Sequence, residues 1–69
     1  GRDAAKHQAV IADQLERSPD LALREKAAWS LGRMHADCSQ ARLALQNAAQ
    51  SHAVRLSRIA TKALQHMAT

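Results

Sequence analysis

Four histidines and one cysteine are the side chains in this chain best suited to metal or nucleophilic chemistry. His35 and Cys38 enclose two residues, Ala36 and Asp37, which places two potential ligands around a turn. A metal site needs three or four ligands, and His7, His52 and His66 add no matching spacing. His52 and His66 would stand about 21 Å apart along one helix, too far to share an ion. No metal and no cofactor are therefore expected. Asp13 and Glu16 lie on one helical turn, but Arg17 follows them, and a solvated face explains them better than an acid–base pair. Gly32 is isolated, so it forms no phosphate-cradling loop, and none of the histidines has the His-x-x-Lys-Gly surroundings of a phosphotransfer domain. Cys38 reads as a small residue in a helix-cap region, with a reactive thiol as the lesser alternative. Nothing converges on a reaction, so no catalytic residue is expected and the chain does not read as an enzyme.

What is left is a binding surface. Trp29 is the only aromatic residue, since phenylalanine and tyrosine are absent. At 100° per residue it falls roughly 140° from the centre of the apolar stripe formed by Leu23, Ala27, Ser30, Leu31 and Met34. Its own flank carries Ala22, Lys26 and Arg33. Later in the chain the stripe Leu56, Ala60, Ala63, Leu64 and Met67 has an equivalent flank of Arg55, Ile59, Lys62 and His66, with Arg58 beside it. The candidate partner-binding residues are thus Trp29, Lys26, Arg33, Arg55, Arg58, Lys62 and His66. Trp and Arg dominate binding energy at many interfaces, whereas lateral packing of Trp29 against a neighbouring hairpin is the plainer alternative. The cations are likewise either an acidic-partner site or a solvated face.

Helices must position these residues. Sixty-nine residues allow one small domain with a limited core. Alanine and leucine are abundant, only two glycines and one proline occur, and no β-branched run appears, so the fold is expected to be all-α. "RSPDLA" marks the clearest boundary, with Ser18 as N-cap, Pro19 in the first helical position and Asp20 facing the dipole. The helix it opens is expected to end near His35. Upstream, "DAAKHQAVIADQLER" predicts a helix capped by Asp3. Downstream, Asp37 and Gln40 predict a capping box and Ser51 caps the last helix. Four helices with short connections give two tandem antiparallel hairpins, residues 3–35 and 37–68, in one domain over 1–69; a compact four-helix bundle is the alternative.

Sliding the chain by 33 residues pairs Ser18 with Ser51, Leu23 with Leu56, Ala27 with Ala60, Leu31 with Leu64 and Met34 with Met67. In the first of these units Leu23, Arg24, Ala27, Ser30, Leu31, Gly32 and Met34, followed by Ala41, Ala44, Leu45 and Ala48, resemble the bacterial HEAT-like repeats of the phycobilisome-lyase type. The next unit departs from that pattern, with Ser57 in place of the arginine and Gln65 in place of the glycine, and the usual Asp-Pro turn is missing. The resemblance implies a short α-solenoid whose second helices line one surface.

The formal charge is +4, and residues 36–69 hold four Lys/Arg against one Asp/Glu. Such a balance suits an acidic protein surface or nucleic acid. The leading expectation is a protein–protein interaction or scaffold module, whose partner is another protein with an acidic surface. Phosphate-backbone binding through the fourth helix is the first alternative, although few cations are grouped there. An accessory domain of a larger enzyme is the second, since the resemblance implies fusion to enzymes, and the Gly1-Arg2 start reads as a fragment or processed product. Self-association is allowed, because two repeats alone leave uncapped ends. A lone cysteine and the lack of a signal or membrane-spanning run point to the cytoplasm and to no membrane partner.

Overall fold

Ser18, Pro19 and Asp20 end one helix and start the next, and the division of labour among them sets the first hairpin. A computed structural model of the chain describes the backbone of residues 2–68 and the side chains of residues 6–68. It holds four helices: α1 (Arg2–Arg17), α2 (Leu21–Arg33), α3 (Ser39–Ala49) and α4 (Val54–Ala68). No strand occurs among the described residues. The protein is all-α, built as two successive antiparallel hairpins. The expected Asp3 cap falls on a side chain outside the described residues.

The caps differ in detail from the sequence expectation. Asp20, not Ser18, caps α2: its backbone is extended and its side chain accepts from the Ala22 N–H at 3.0 Å. Ser18 is still tied to α1, because its N–H donates to the Gln14 carbonyl, and its Oγ accepts instead from the Asp20 N–H. Pro19 therefore sits in the turn and not in the helix. Ser51 repeats this arrangement, with its Oγ accepting from the Ala53 N–H at 3.0 Å. Cys38 rather than Asp37 caps α3, its sulfur accepting from the Ala41 N–H at 3.4 Å. Asp37 is displaced because its own N–H and that of Cys38 are both held by Gln8 Oε1 at 3.1 Å.

At the far end, α2 stops at Arg33, two residues before the expected His35. His35 has a left-handed backbone with φ 51, a conformation open to histidine more than to most non-glycine residues. Its N–H donates to the Gly32 carbonyl and the Ala36 N–H donates to the Leu31 carbonyl. These are the two reversed bonds of a Schellman ending, and buried Ala36 supplies the hydrophobic contact that accompanies it.

Each hairpin is also fastened by a side chain reaching back to the end of its first helix. Arg24 Nε donates to the Leu15 carbonyl at 2.7 Å, and Ser57 Oγ donates to the Ala49 carbonyl at 2.6 Å. Arg24 and Ser57 are 33 residues apart. A serine thus does with one hydroxyl what an arginine does in the first hairpin, satisfying a carbonyl the helix end leaves open.

The hairpins lie side by side in the same orientation. Contacts link α1 to α2 and α3, and α4 to α2 and α3, while the α2–α3 diagonal is nearly bare. Helix α2 is parallel to α4, because Glu25 meets Arg55, Gly32 meets Ala63 and His35 meets His66 at an almost constant offset. First helices form one layer and second helices the other, and the smallest dimension of 15 Å is what two helical layers need. Leu15, Leu31, Leu45 and Leu56 are the large side chains fully buried between them, and alanines fill the rest. Small side chains let the helices approach closely.

Two residues assigned to the core stripe of α2 are not in the core. Leu23 is 39% exposed and Met34 37%. On α4 the same positions, Leu56 and Met67, are fully and partly buried because that side of α4 lies against α2. Leu23 and Met34 sit on the opposite side of α2 from Gly32, where no described helix follows.

Gln8 is the one polar residue buried in the core, and it joins the hairpins by accepting from the start of α3. Gln8→Leu keeps the volume but strands two backbone N–H groups. It is expected to lower the unfolding free energy by about 1–3 kcal/mol. Urea denaturation followed by circular dichroism measures this, and an unchanged midpoint would show that the clamp contributes nothing.

Candidate interaction groove

The parallel α2 and α4 approach most closely at Gly32. A Cβ built there would stand 2.6 Å from the Ala63 Cβ and 2.8 Å from its Cα, so only hydrogen fits. The contact forms the floor of a groove of about 240 Å³ that opens outward between the two helices. Ile59 extends the apolar floor, and Trp29, Arg33, Lys62 and His66 form the walls.

Trp29 is 53% exposed. Its position follows from the helix period: Ala28, Leu31 and Gly32 turn inward, and Trp29 is carried to the rim. Arg33, one turn later, lays its guanidinium over the indole, 4.9 Å from the ring centroid. Such a cation–π contact contributes about 0.5–1 kcal/mol at an exposed site and restrains both side chains. Trp29 also borders a second, shallower depression with Ser30 and Met34, so the indole stands as a ridge between two hollows.

At the end of the groove the rings of His35 and His66 meet, with centroids 4.4 Å apart and planes tilted by 46°. The left-handed turn at His35 brings its ring across to α4. At the other end Arg55 pairs with Glu25 across the same helix interface at 3.8 Å. A pair this exposed contributes about 0–1 kcal/mol.

Of the residues singled out in the sequence, Trp29, Arg33, Lys62 and His66 are thus gathered on one groove. Lys26, Arg55 and Arg58 are exposed on the same two helices but do not line it. The charged groups that do line it are basic, and no carboxylate is among them. Two contributors escaped sequence reasoning. Gly32 and Ala63 make the floor, and the only sequence sign was a glycine and an alanine 31 residues apart in parallel elements. His35 joins His66 through a backbone conformation that periodicity does not encode.

The groups suited to catalysis stay apart. Asp13 pairs with Arg17 at 3.0 Å on the surface of α1, and Cys38 is occupied as a cap. Among the described residues no three His, Cys, Asp or Glu side chains cluster as a metal site would require, and no helix is long and apolar enough to cross a membrane. No family model, curated protein or solved structure matches this chain.

Proposed function

We propose that this protein is a protein-interaction module of HEAT-like type, a pair of stacked helical hairpins that offers the face of α2 and α4 to an acidic partner. The observation that carries this reading is Trp29: the chain's largest apolar side chain stands at the rim of a basic groove, held in place by Arg33. Rigid aromatic and arginine side chains around a small hollow are the groups that dominate interface energies. The 33-residue equivalence of caps and tethers supports the repeat assignment. A lone cysteine engaged as a helix cap suits a reducing, cytoplasmic setting.

Protein is favoured over nucleic acid as the partner. Arg33 covers one face of Trp29, which removes a stacking surface, and Arg55 is already paired with Glu25. Too few grouped cations remain for a phosphate track.

Trp29→Ala is expected to weaken capture of the partner by roughly thirtyfold, the effect of losing about 2 kcal/mol at a hot spot. Its unfolding midpoint should stay close to that of the parent, because exposed substitutions shift stability by only about 0.5 kcal/mol. Pull-down from the source cell, paired with thermal unfolding of the same variants, tests both halves. Undiminished capture, or a variant that simply unfolds, would remove Trp29 as the anchor.

A further inference from the structure

The groove is too small for a typical small-molecule ligand and too well shaped to be an incidental dip. Its 240 Å³ lies below the range of about 300–1,000 Å³ usual for cofactor and drug-sized sites, and it matches one bulky side chain. The floor offers no hydrogen-bonding side chain: Gly32 and Ala63 are in mutual contact, and Ile59 is aliphatic. Whatever sits there is apolar. Around it the charge is one-sided, with Arg33 on the α2 wall and Lys62 on the α4 wall, and no acidic residue lines either.

From these two facts we infer that the groove binds a short peptide segment carrying one large aliphatic or aromatic side chain with acidic residues beside it. This rests on the interaction-module reading and specifies its occupant. The apolar side chain lies on Gly32, Ala63 and Ile59, with the indole of Trp29 closing one side. A carboxylate next to it reaches Lys62, which lies more than a turn before the end of α4 and so away from the negative dipole of that end. A second carboxylate meets Arg33, whose guanidinium is already held in place by the indole and loses little freedom on binding.

Charge and shape act on different quantities here. The cations speed encounter and select against basic segments, and their effect fades with salt. Burial of the apolar side chain supplies the part of the affinity that salt does not remove. A segment with only one of the two features should bind weakly.

The protein carries its own reporter, because Trp29 is its only tryptophan and stands in the groove wall. The test titrates the purified chain with nine-residue synthetic peptides lacking aromatic residues, and follows Trp29 emission. One peptide has a central leucine between Asp and Glu residues, a second has alanine in place of that leucine, and a third keeps the leucine but has lysine flanks. A ten-nucleotide oligothymidylate forms the fourth arm. The acidic leucine peptide is expected to give a saturable emission change. Both the alanine and the lysine-flanked peptides should bind at least tenfold more weakly. Lys62→Glu and Arg33→Gln, both at exposed sites, should each reduce binding several-fold with helicity retained, so loss of one variant to misfolding leaves the other to decide.

Equal binding of the leucine and alanine peptides would overturn the anchored-side-chain inference while leaving an acidic partner in place. Absence of binding by either acidic peptide would also overturn it; Trp29-dependent capture of a cellular protein would then show that the broader reading survives without it. Tighter binding of the oligothymidylate than of the acidic leucine peptide would overturn both.

Discussion

Leu45→Ala is expected to remove most of the stability of this protein. Four leucines are the only large side chains fully buried in the described core, and Leu45 is one of them, with no solvent exposure. Truncating a buried leucine to alanine costs about 3–5 kcal/mol where the site cannot collapse around the gap. Collapse is hindered here, because the neighbouring core positions are mostly alanines and have no longer side chains to swing into the space. A single core in a chain of this length supplies about 3–5 kcal/mol in all. The loss is therefore comparable to the whole, and the gain in helix propensity from alanine is only a few tenths of a kcal/mol. Circular dichroism at 25 °C should show the helical signal largely lost, and urea should reveal no cooperative transition. Leu45→Met, which keeps the volume, should stay within about 1.5 kcal/mol of the parent. If the alanine variant unfolds cooperatively with nearly parental stability, the leucine core does not hold the hairpins together.

Gly32→Ala has an expected sign that ordinary propensity reverses. In an exposed helix the exchange stabilises by about 1 kcal/mol. At Gly32 the added methyl would stand 2.6 Å from the Ala63 Cβ and 2.8 Å from its Cα, and a backbone atom cannot rotate away. Helices α2 and α4 would have to separate, loosening the largest helix contact in the molecule. Overpacking of this kind costs about 1–3 kcal/mol net. Gly32→Ala should lower the melting temperature, and adding Ala63→Gly should recover part of the loss by returning the missing space. Melting curves of the two single variants and the double variant form a cycle whose coupling energy reports the contact. An alanine variant more stable than the parent would mean that the helices do not touch there.

Much of this architecture is legible in the chain itself, because alanine and leucine recur at helical spacing and breaks occur only at Ser18–Asp20, Ala36–Cys38 and Gln50–Ala53. The offset that pairs Ser18 with Ser51 reappears as a shared hydrogen bond two residues on. The sequence does not choose between Ser18 and Asp20 as cap, since both side chains suit the role; the choice turns on whether the Ser18 N–H is already engaged by Gln14. Asp37 loses its expected role to a bond from Gln8, 29 residues away, which no local pattern announces. The exposure of Leu23 and Met34 has the same origin. A wheel gives the angular position of a side chain but not whether a neighbouring element covers it. Trp29 was the favourable case: its angle set it off the stripe, and that is where it stands, on the groove rim. Lys26, Arg55 and Arg58 share its broad face but miss the groove by a fraction of a turn, a distinction finer than 100° steps resolve.

The bonds that fasten the hairpins also set an order of assembly. Arg24 reaches back nine residues and Ser57 eight, whereas Gln8 reaches forward 29 and 30 residues to the backbone that opens α3. Closing the longer loop costs about 1 kcal/mol more in chain entropy, and it must be closed before the stacked core repays it. Local contacts of the shorter kind form fast. Each hairpin therefore zips by itself, and the slow event is their docking, when Gln8 seats on Asp37 and Cys38 and Gly32 meets Ala63. The span of a few hydrogen bonds in sequence thus separates the steps that shape each half from the one step that makes the halves a single molecule.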